Sequence, residues 1–214
     1  MKIAIVNELR DGENRVAASP GTVKKFVAMN CEITIERGAG AKSNILDGEF
    51  ESAGASLAAN YESAVSEAHA ILKVQRPTEI ELKSLQKGQV LVCLMNPLVE
   101  KDDVFKIATT GVCGFAMELM PRITKAQGMD VLSSQANLAG YKSVLEATQF
   151  YGRAIPMMMT AAGTVSPAKI FVLGAGVAGL QAIATARRLG AIVSATDVRP
   201  TAKEQIESLG ALAV

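Results

Sequence analysis

The sequence has no tryptophan, one histidine and three cysteines among its 214 residues. No set of metal-ligand residues surrounds His69, so no metal site is expected. Cys31, Cys93 and Cys113 each lie in or beside an apolar run, which predicts reduced core side chains in a cytosolic protein. Aromatic residues make up only 4% of the chain, so platforms that stack nucleic-acid bases are not expected.

The chain also lacks an excess of either charge, with 22 basic and 21 acidic side chains. This balance gives no indication of nucleic-acid binding or of an acidic membrane surface as partner. The uncharged run 170–186 does not predict a membrane span, because its glycine spacing and its flanking basic residues favour a buried strand followed by a buried helix. The N-terminal apolar run ends at Val6 and is too short for a signal peptide.

Short apolar runs alternate with helical patterns over roughly the first half of the chain. Ser19 before Pro20, and Thr78 further on, are typical of helix starts. The runs are mostly not alternating in polarity, which is typical of strands that are covered on both faces. This alternation predicts a parallel, doubly wound α/β domain. The predicted strands are Lys2–Val6, Glu32–Glu36, Ala70–Gln75, Gln89–Met95 and Gly111–Met117.

Residues 118–131 follow neither a helical nor a strand period and are predicted to form a loop. They come after a strand, at the edge where α/β sheets bind their ligands. Residues 133–152 then predict a long helix, capped by Ser133 or Ser134 and closed by Gly152. The expected organisation is a Rossmann-like α/β domain over 1–132, a linking helix over 133–152, and a second Rossmann domain over 153–214, which is incomplete in this chain and opens with a connector.

A dinucleotide-binding turn is indicated by "VLGAGVAGL", which carries the G-x-G-x-x-G spacing at Gly174, Gly176 and Gly179. The glycines permit the tight turn, the approach of a pyrophosphate and close packing of helix on strand. Asp197 ends the next strand about 20 residues on, where a carboxylate accepts hydrogen bonds from the adenosine ribose and repels a 2′-phosphate. NAD is therefore expected rather than NADP, although the nearby Arg199 leaves NADP open.

These motifs occur together with "NELRDGENRVAASPGTV", "ERGAGAKSNILDGEFESAGA" and "TDVR". The combination resembles two related families, alanine dehydrogenase and the NAD(H)-binding part of proton-translocating NAD(P) transhydrogenase. The dehydrogenase has a substrate-binding histidine after its fourth strand, where this chain has Leu94, Met95 and Asn96. Arg15 and Lys73 match its pyruvate-binding positions, but without an acid/base histidine they cannot complete amine oxidation. Scaffold ion pairing is the other role open to them.

The segment "MPRITKAQGMDVLSSQANLAGY" resembles the transhydrogenase loop that is named for its Arg, Gln and Asp. The resemblance implies that this loop holds the nicotinamide end of NAD(H), with Arg122, Gln127 and Asp130 as the catalytic positions. Gln127 has both a donor and an acceptor and could bridge two cofactors. The expected cofactor-binding residues are Arg122, Ile123, Thr124, Lys125, Gln127, Asp130, Ser133, Gly174, Gly176, Val177, Gly179, Asp197, Val198 and Arg199.

The function implied by this resemblance is transfer of hydride from NADH to NADP⁺ bound on a partner, coupled to proton translocation across a membrane. The expected partners are the NADP(H)-binding and membrane-spanning components and a second copy in a homodimer. The expected location is the cytoplasm, attached to the inner membrane through those partners. An alanine-type amino-acid dehydrogenase and a non-catalytic, NAD-binding regulatory fragment remain the alternative functions.

Overall fold

The computed structural model describes residues 1–121 and 123–214, which form two compact units, Met1–Met129 and Asp130–Val214. The long predicted helix is part of the second unit. No helix among the described residues is long and apolar enough to cross a membrane.

The first unit contains a parallel sheet of six strands in the order β3-β2-β1-β4-β5-β6. The winding reverses between β1 and β4, as in doubly wound α/β folds. The strands are β1 (Lys2–Ile5), β2 (Glu32–Glu36), β3 (Ser56–Ala58), β4 (Ala70–Gln75), β5 (Val90–Leu94) and β6 (Cys113–Ala116). The helices are α1 (Pro20–Ala28), α2 (Asp47–Ser52), α3 (Tyr61–Val65), α4 (Glu79–Leu82) and α5 (Lys101–Thr109). The five predicted strands are confirmed within two residues, whereas β3 was not predicted.

The predicted helix starts of the first unit are confirmed by their capping hydrogen bonds. The Ser19 hydroxyl accepts from the Thr22 N–H at 3.2 Å, and Pro20 opens α1. At α4, Thr78 and Glu81 form a reciprocal capping box. Each cap satisfies N–H groups that have no partner in the first turn of a helix.

Both faces of the first sheet carry a core, as the non-alternating strands predict. Ile3 and Ile5 pack on one face, in a cluster that includes Phe50, and Ala4 and Val6 pack on the other. All four are at most 3% exposed. Successive side chains of a strand point to opposite faces, so a strand that is apolar throughout requires cover on both.

The second unit begins with α6 (Val131–Tyr151), which ends at Gly152 in the left-handed conformation with φ of 66°. It continues with an antiparallel hairpin of β7 (Met158–Thr160) and β8 (Gly163–Val165), within the stretch predicted as a connector. The remaining elements are β9 (Lys169–Leu173), α7 (Val177–Arg188), β10 (Ile192–Thr196), α8 (Ala202–Ser208) and β11 (Leu212–Ala213). Their parallel sheet has the order β11-β10-β9, so the Rossmann-like α/β class is confirmed with a partial second sheet.

Helix α6 packs directly against α7 within the second unit. A Cβ added to Gly140 would lie 2.1 Å from the Ala178 carbonyl oxygen, so a larger residue would push the two helices apart. One turn earlier on α6, the Asn137 side chain donates to Gln181 at 3.2 Å. The N-terminal part of α6 therefore lies against the first turns of α7.

Candidate functional site

The glycine turn connects β9 to α7 in the second unit, and each glycine serves a different need. Gly174 has φ of +93°, which strains any residue with a side chain. A Cβ added to Gly179 would lie 1.8 Å from the Gly174 carbonyl oxygen, so only glycine lets the helix pack this close to the strand. Gly176 has φ of −74°, and no heavy atom of the described residues would lie within 4 Å of its Cβ.

The space at Gly176 is the feature that fits a dinucleotide. Helix α7 begins at Val177 with Gly176 as its N-cap, and no side chain of the described part of the chain caps it. Its first N–H groups and the positive end of its dipole suit the pyrophosphate of a dinucleotide. The residues present therefore fit a nicotinamide dinucleotide, whose pyrophosphate the turn would hold.

Asp197 follows β10 and lies against this turn. Its Oδ2 accepts a hydrogen bond from the Ala175 N–H at 2.7 Å. The Arg199 guanidinium donates to the same carboxylate through Nε at 2.9 Å and Nη2 at 3.1 Å. These contacts, the arginine side chain first among them, hold the pKa of Asp197 well below its usual range. The carboxylate is therefore charged at neutral pH and is held beside the turn.

The structure brings most of the predicted residues of the second unit together at this point. Gly174, Gly176, Gly179 and Val177 belong to the turn and the start of α7, and Asp197 is hydrogen-bonded to the turn. Arg199 contacts both the aspartate and the Ala175 carbonyl oxygen, the latter at 3.2 Å. The intervening Val198 is 99% exposed.

The predicted serine cap of the long helix is wrong, because Asp130 is the N-cap of α6. Its Oδ1 accepts from the Ser133 N–H at 2.9 Å, and the Ser133 hydroxyl donates to its Oδ2 at 2.6 Å. An ionised side chain also interacts favourably with the positive end of the helix dipole, which a serine cannot do. Asp130 and Ser133 thus form one hydrogen-bonded pair at the start of a helix that packs on α7.

The remaining predicted positions that the structure describes lie in the first unit, where Thr124–Met129 forms 3₁₀ turns inside the predicted loop. Ala126 is the buried residue of this segment, with 3% of its surface exposed, and its N–H donates to the Ile123 carbonyl at 2.9 Å. Ile123, Thr124, Lys125 and Gln127 are exposed around it. Arg122 lies outside the described residues.

At the point where the winding of the first sheet reverses, Lys73 belongs to a buried charge network. This is the scaffold ion pairing considered for Lys73 from the sequence, which did not identify its partners. Lys73 Nζ lies 2.6 Å from Glu81 Oε1 and 3.7 Å from Glu8 Oε2, and all three side chains are at most 2% exposed. The ammonium also donates to the Asn7 carbonyl at 3.0 Å. Burial raises the pKa of Glu8, although Lys73 and two backbone N–H groups oppose the shift. The only sequence signal for Glu81 was its place in the Thr78 capping box.

Arg15 is paired in the same region. Its guanidinium donates to Glu13 at 2.7 Å through both Nε and Nη2, and the Gln75 side chain donates to Glu13 at 2.9 Å. These hydrogen bonds, Arg15 first, lower the pKa of Glu13 to about 2. The two cations that match the pyruvate-binding positions of the dehydrogenase are therefore both engaged by carboxylates here.

In alanine dehydrogenase the substrate-binding histidine follows the strand that corresponds to β5. In this chain the Glu118 carboxylate binds the backbone at that position. Glu118 accepts from the Met95 N–H at 2.7 Å and also from the Asn96 N–H, and Asn96 has a left-handed φ of 52°. Nearby, burial raises the pKa of the Cys93 thiol to about 12. No histidine among the described residues lies at this edge of the sheet to act as a general base.

Comparison with known proteins matches both units to one family. Residues 4–139 match the family model described as alanine dehydrogenase/PNT, N-terminal domain, and residues 143–214 match the alanine dehydrogenase/PNT, C-terminal domain. The fold is similar to the crystal structure of transhydrogenase from Sinorhizobium meliloti, with a TM-score of 0.97 and 54% identity, over 100% of this chain and 64% of that chain.

Two curated relatives differ in their sequence identity to this chain. One is a Rhodospirillum rubrum protein named as the first part of NAD(P) transhydrogenase subunit alpha, which is 51% identical over 215 residues, covering 98% of this chain and 56% of that protein. The other is alanine dehydrogenase of Mycolicibacterium smegmatis, which is 30% identical over 203 residues, covering 92% of this chain and 54% of that protein. The chain thus spans about half the length of these relatives. The two matching family models together cover nearly the whole chain, which therefore belongs to the alanine dehydrogenase/PNT family.

Proposed function

We propose that this chain is the NAD(H)-binding part of a proton-translocating NAD(P) transhydrogenase. In this role it binds NADH and passes its hydride to NADP⁺ held by a partner component, and the complete complex couples the transfer to proton movement across a membrane. The observation that carries the proposal is the Asp197 carboxylate, hydrogen-bonded to Ala175 inside a glycine turn that has open space at Gly176. The 51% identity to a transhydrogenase subunit supports the choice of reaction.

The cofactor preference follows from the charge of Asp197. Its lowered pKa keeps it ionised, so it accepts hydrogen bonds from ribose hydroxyls and repels a 2′-phosphate. The proposed cofactor of this chain is therefore NAD(H), with NADP(H) on the partner component.

Direct hydride transfer requires positioning more than acid/base chemistry, because no protonated intermediate forms. Donor and acceptor carbons must come within about 3–3.5 Å of each other. We assign Arg122 to the nicotinamide nucleoside, and Asp130 with Ser133 to the orientation of that end of the cofactor. Gln127 is exposed on its 3₁₀ segment and has both donor and acceptor groups, which suits a contact to the partner's nucleotide.

The buried network in the first unit argues against the alanine dehydrogenase alternative. The Lys73 side chain is 1% exposed and is already paired with Glu81. Releasing it for an oxoacid would leave a carboxylate buried without a counter-charge, which is strongly unfavourable. We infer that Lys73 and Arg15 stabilise the scaffold in this chain and do not bind a substrate.

Membrane-spanning and NADP(H)-binding components are the proposed partners, and attachment through them places the chain at the cytoplasmic face of the inner membrane. We also propose a homodimer. The hairpin β7–β8 forms a sheet of its own and exposes Met158, Met159 and Val165, which is consistent with contact to a second copy. Light scattering of the purified protein tests this state, and a monomer at micromolar concentration would contradict it.

Two titrations and one assay test the proposed function. The full natural length of the protein should bind NADH and should bind NADPH at least tenfold more weakly. It should not oxidise NADH when pyruvate and ammonia are supplied. Equal affinity for the two nucleotides would contradict the role of Asp197, and ammonia-dependent oxidation of NADH would establish the dehydrogenase alternative instead.

A further inference from the structure

The carboxylate of Asp197 already has a full set of hydrogen-bond donors from within the protein. Oδ2 accepts from the Ala175 N–H at 2.7 Å, and Oδ1 accepts from the Arg199 N–H at 2.8 Å. The Arg199 guanidinium supplies the other two donors, Nε to Oδ1 and Nη2 to Oδ2. An ionised carboxylate offers about four lone-pair sites, so these four donors occupy all of them.

Two of these donors are fixed and two can be exchanged. The backbone N–H groups belong to the turn and to the segment after β10, and they hold the Asp197 side chain, which is only 8% exposed. The Arg199 side chain is 56% exposed and can rotate into water. Exchange at Asp197 therefore proceeds by movement of the arginine, because the aspartate is held by the backbone.

The adenosine ribose offers the same hydrogen-bonding pattern as the guanidinium. Its 2′- and 3′-hydroxyls are two adjacent donors, and a bidentate contact to a carboxylate uses one lone pair on each oxygen. We propose that Arg199 and the ribose hydroxyls compete for the same two lone pairs of Asp197, so that Arg199 lowers the affinity for NADH. This inference rests on the proposed function, because it takes Asp197 as the ribose acceptor.

Arg199 also makes a hydrogen bond to the backbone of the glycine turn. Its Nη2 also donates to the Ala175 carbonyl oxygen at 3.2 Å, and Ala175 is 1% exposed. Displacement of Arg199 thus releases the turn as well as the carboxylate. Solvent weakens the pair because the guanidinium is 56% exposed, although Asp197 is largely buried, and this limits the competition to about two- to fivefold in affinity.

The test is a double-mutant cycle on the full natural length of the protein, with NADH affinity measured by fluorescence titration. Arg199→Ala should bind NADH about two- to fivefold more tightly than wild type, and the gain should shrink at high salt because the exposed guanidinium is screened by salt. In an Asp197→Ala background the same arginine change should give no gain in affinity, because the carboxylate for which the arginine competes is absent. Reduced nicotinamide mononucleotide, which lacks the adenosine ribose, should bind equally to all four proteins, and Arg199→Lys should lie between wild type and Arg199→Ala.

The possible results separate this inference from the proposed function. Weaker or unchanged NADH binding by Arg199→Ala would overturn the competition, and loss of the mononucleotide as well would show a structural role for the arginine. A wild-type protein that binds no NADH would refute the proposed function and this inference with it. Binding by wild type that depends on Asp197 but not on Arg199 would refute only the inference.

Discussion

Alanine substitutions at two glycines of the turn should have different consequences, although both add a single methyl group. At Gly176 the methyl would meet no atom of the described residues within 4 Å, and φ of −74° is accessible to alanine. At Gly179 it would lie 1.8 Å from the Gly174 carbonyl oxygen. Gly176→Ala therefore keeps the fold and fills the space assigned to the pyrophosphate, whereas Gly179→Ala forces strand and helix apart.

The expected changes in melting temperature and NADH affinity follow from these distances. Overpacking of a well-packed site costs about 1–3 kcal/mol, so Gly179→Ala should lower the melting temperature by several degrees and weaken NADH binding as a consequence. Gly176→Ala should leave the melting temperature nearly unchanged, because lower entropy of the unfolded chain partly offsets the poorer N-cap. Its NADH affinity should fall by tenfold or more, since the methyl blocks close approach of the phosphates.

Thermal melting without ligand and NADH titration, carried out on both variants, separate the two effects. Gly176→Ala is the matched control for Gly179→Ala in the melting experiment. In the titration, Gly176→Ala should lose affinity without losing stability, whereas Gly179→Ala should lose both. If Gly176→Ala bound NADH as tightly as wild type, the pyrophosphate would not lie at this turn. The assignment of the turn would then be wrong.

Four further outcomes are expected from other positions. Asp197→Ala should lower the affinity for NADH by roughly tenfold or more and reduce discrimination against NADPH, as titration with both nucleotides would show. Gln127→Asn should keep NADH affinity within about threefold but slow hydride transfer in the assembled complex by roughly tenfold or more; an unchanged rate would remove its bridging role. Lys73→Met should destabilise the first unit by about 3–5 kcal/mol in urea unfolding, and adding Glu81→Leu should recover part of the loss. Because the pKa of Glu13 is lowered to about 2, its contribution to stability should be complete above about pH 4.5 and be lost as the pH falls towards 2, a dependence that Glu13→Gln should flatten.

Local sequence signals predicted the parts of the fold that depend on neighbouring residues. Ser19 and Pro20 define the start of α1 through contacts within one turn of chain. The glycine turn was predictable for the same reason, because Gly174 and Gly179 meet each other across a few residues. The strands of the first sheet were predicted from their continuous apolar character, which follows from cover on both faces.

Features without a local signal were missed. Strand β3 is three residues long, and the hairpin of β7 and β8 is exposed on both strands, so neither has an apolar pattern to detect. The cap of α6 was misassigned because Ser133, Ser134 and Asp130 are all good capping residues, and only the geometry of the helix start selects the aspartate.

The partners of the charged side chains in the two units could not be identified from the sequence. That Arg199 contacts a cofactor stays a prediction, and its pairing with Asp197 depends on where β10 ends beside the turn. The partner of Lys73 was likewise not predictable, because Glu81 reaches it from a helix that follows β4. Sequence spacing defines which groups are present, whereas the pairing of charges depends on the packed fold.

The central claim is hydride transfer from NADH on this chain to NADP⁺ on a partner. The most direct measurement mixes the full natural length of the protein with the NADP(H)-binding component and follows single-turnover exchange between NADH and an oxidised NADP⁺ analogue of distinct absorbance. Oxidation of NADH should match reduction of the analogue one to one, and it should require both components. Tight NADH binding without any exchange, when the partner is present and loaded, would contradict the claim and identify the chain as a non-catalytic NAD-binding protein.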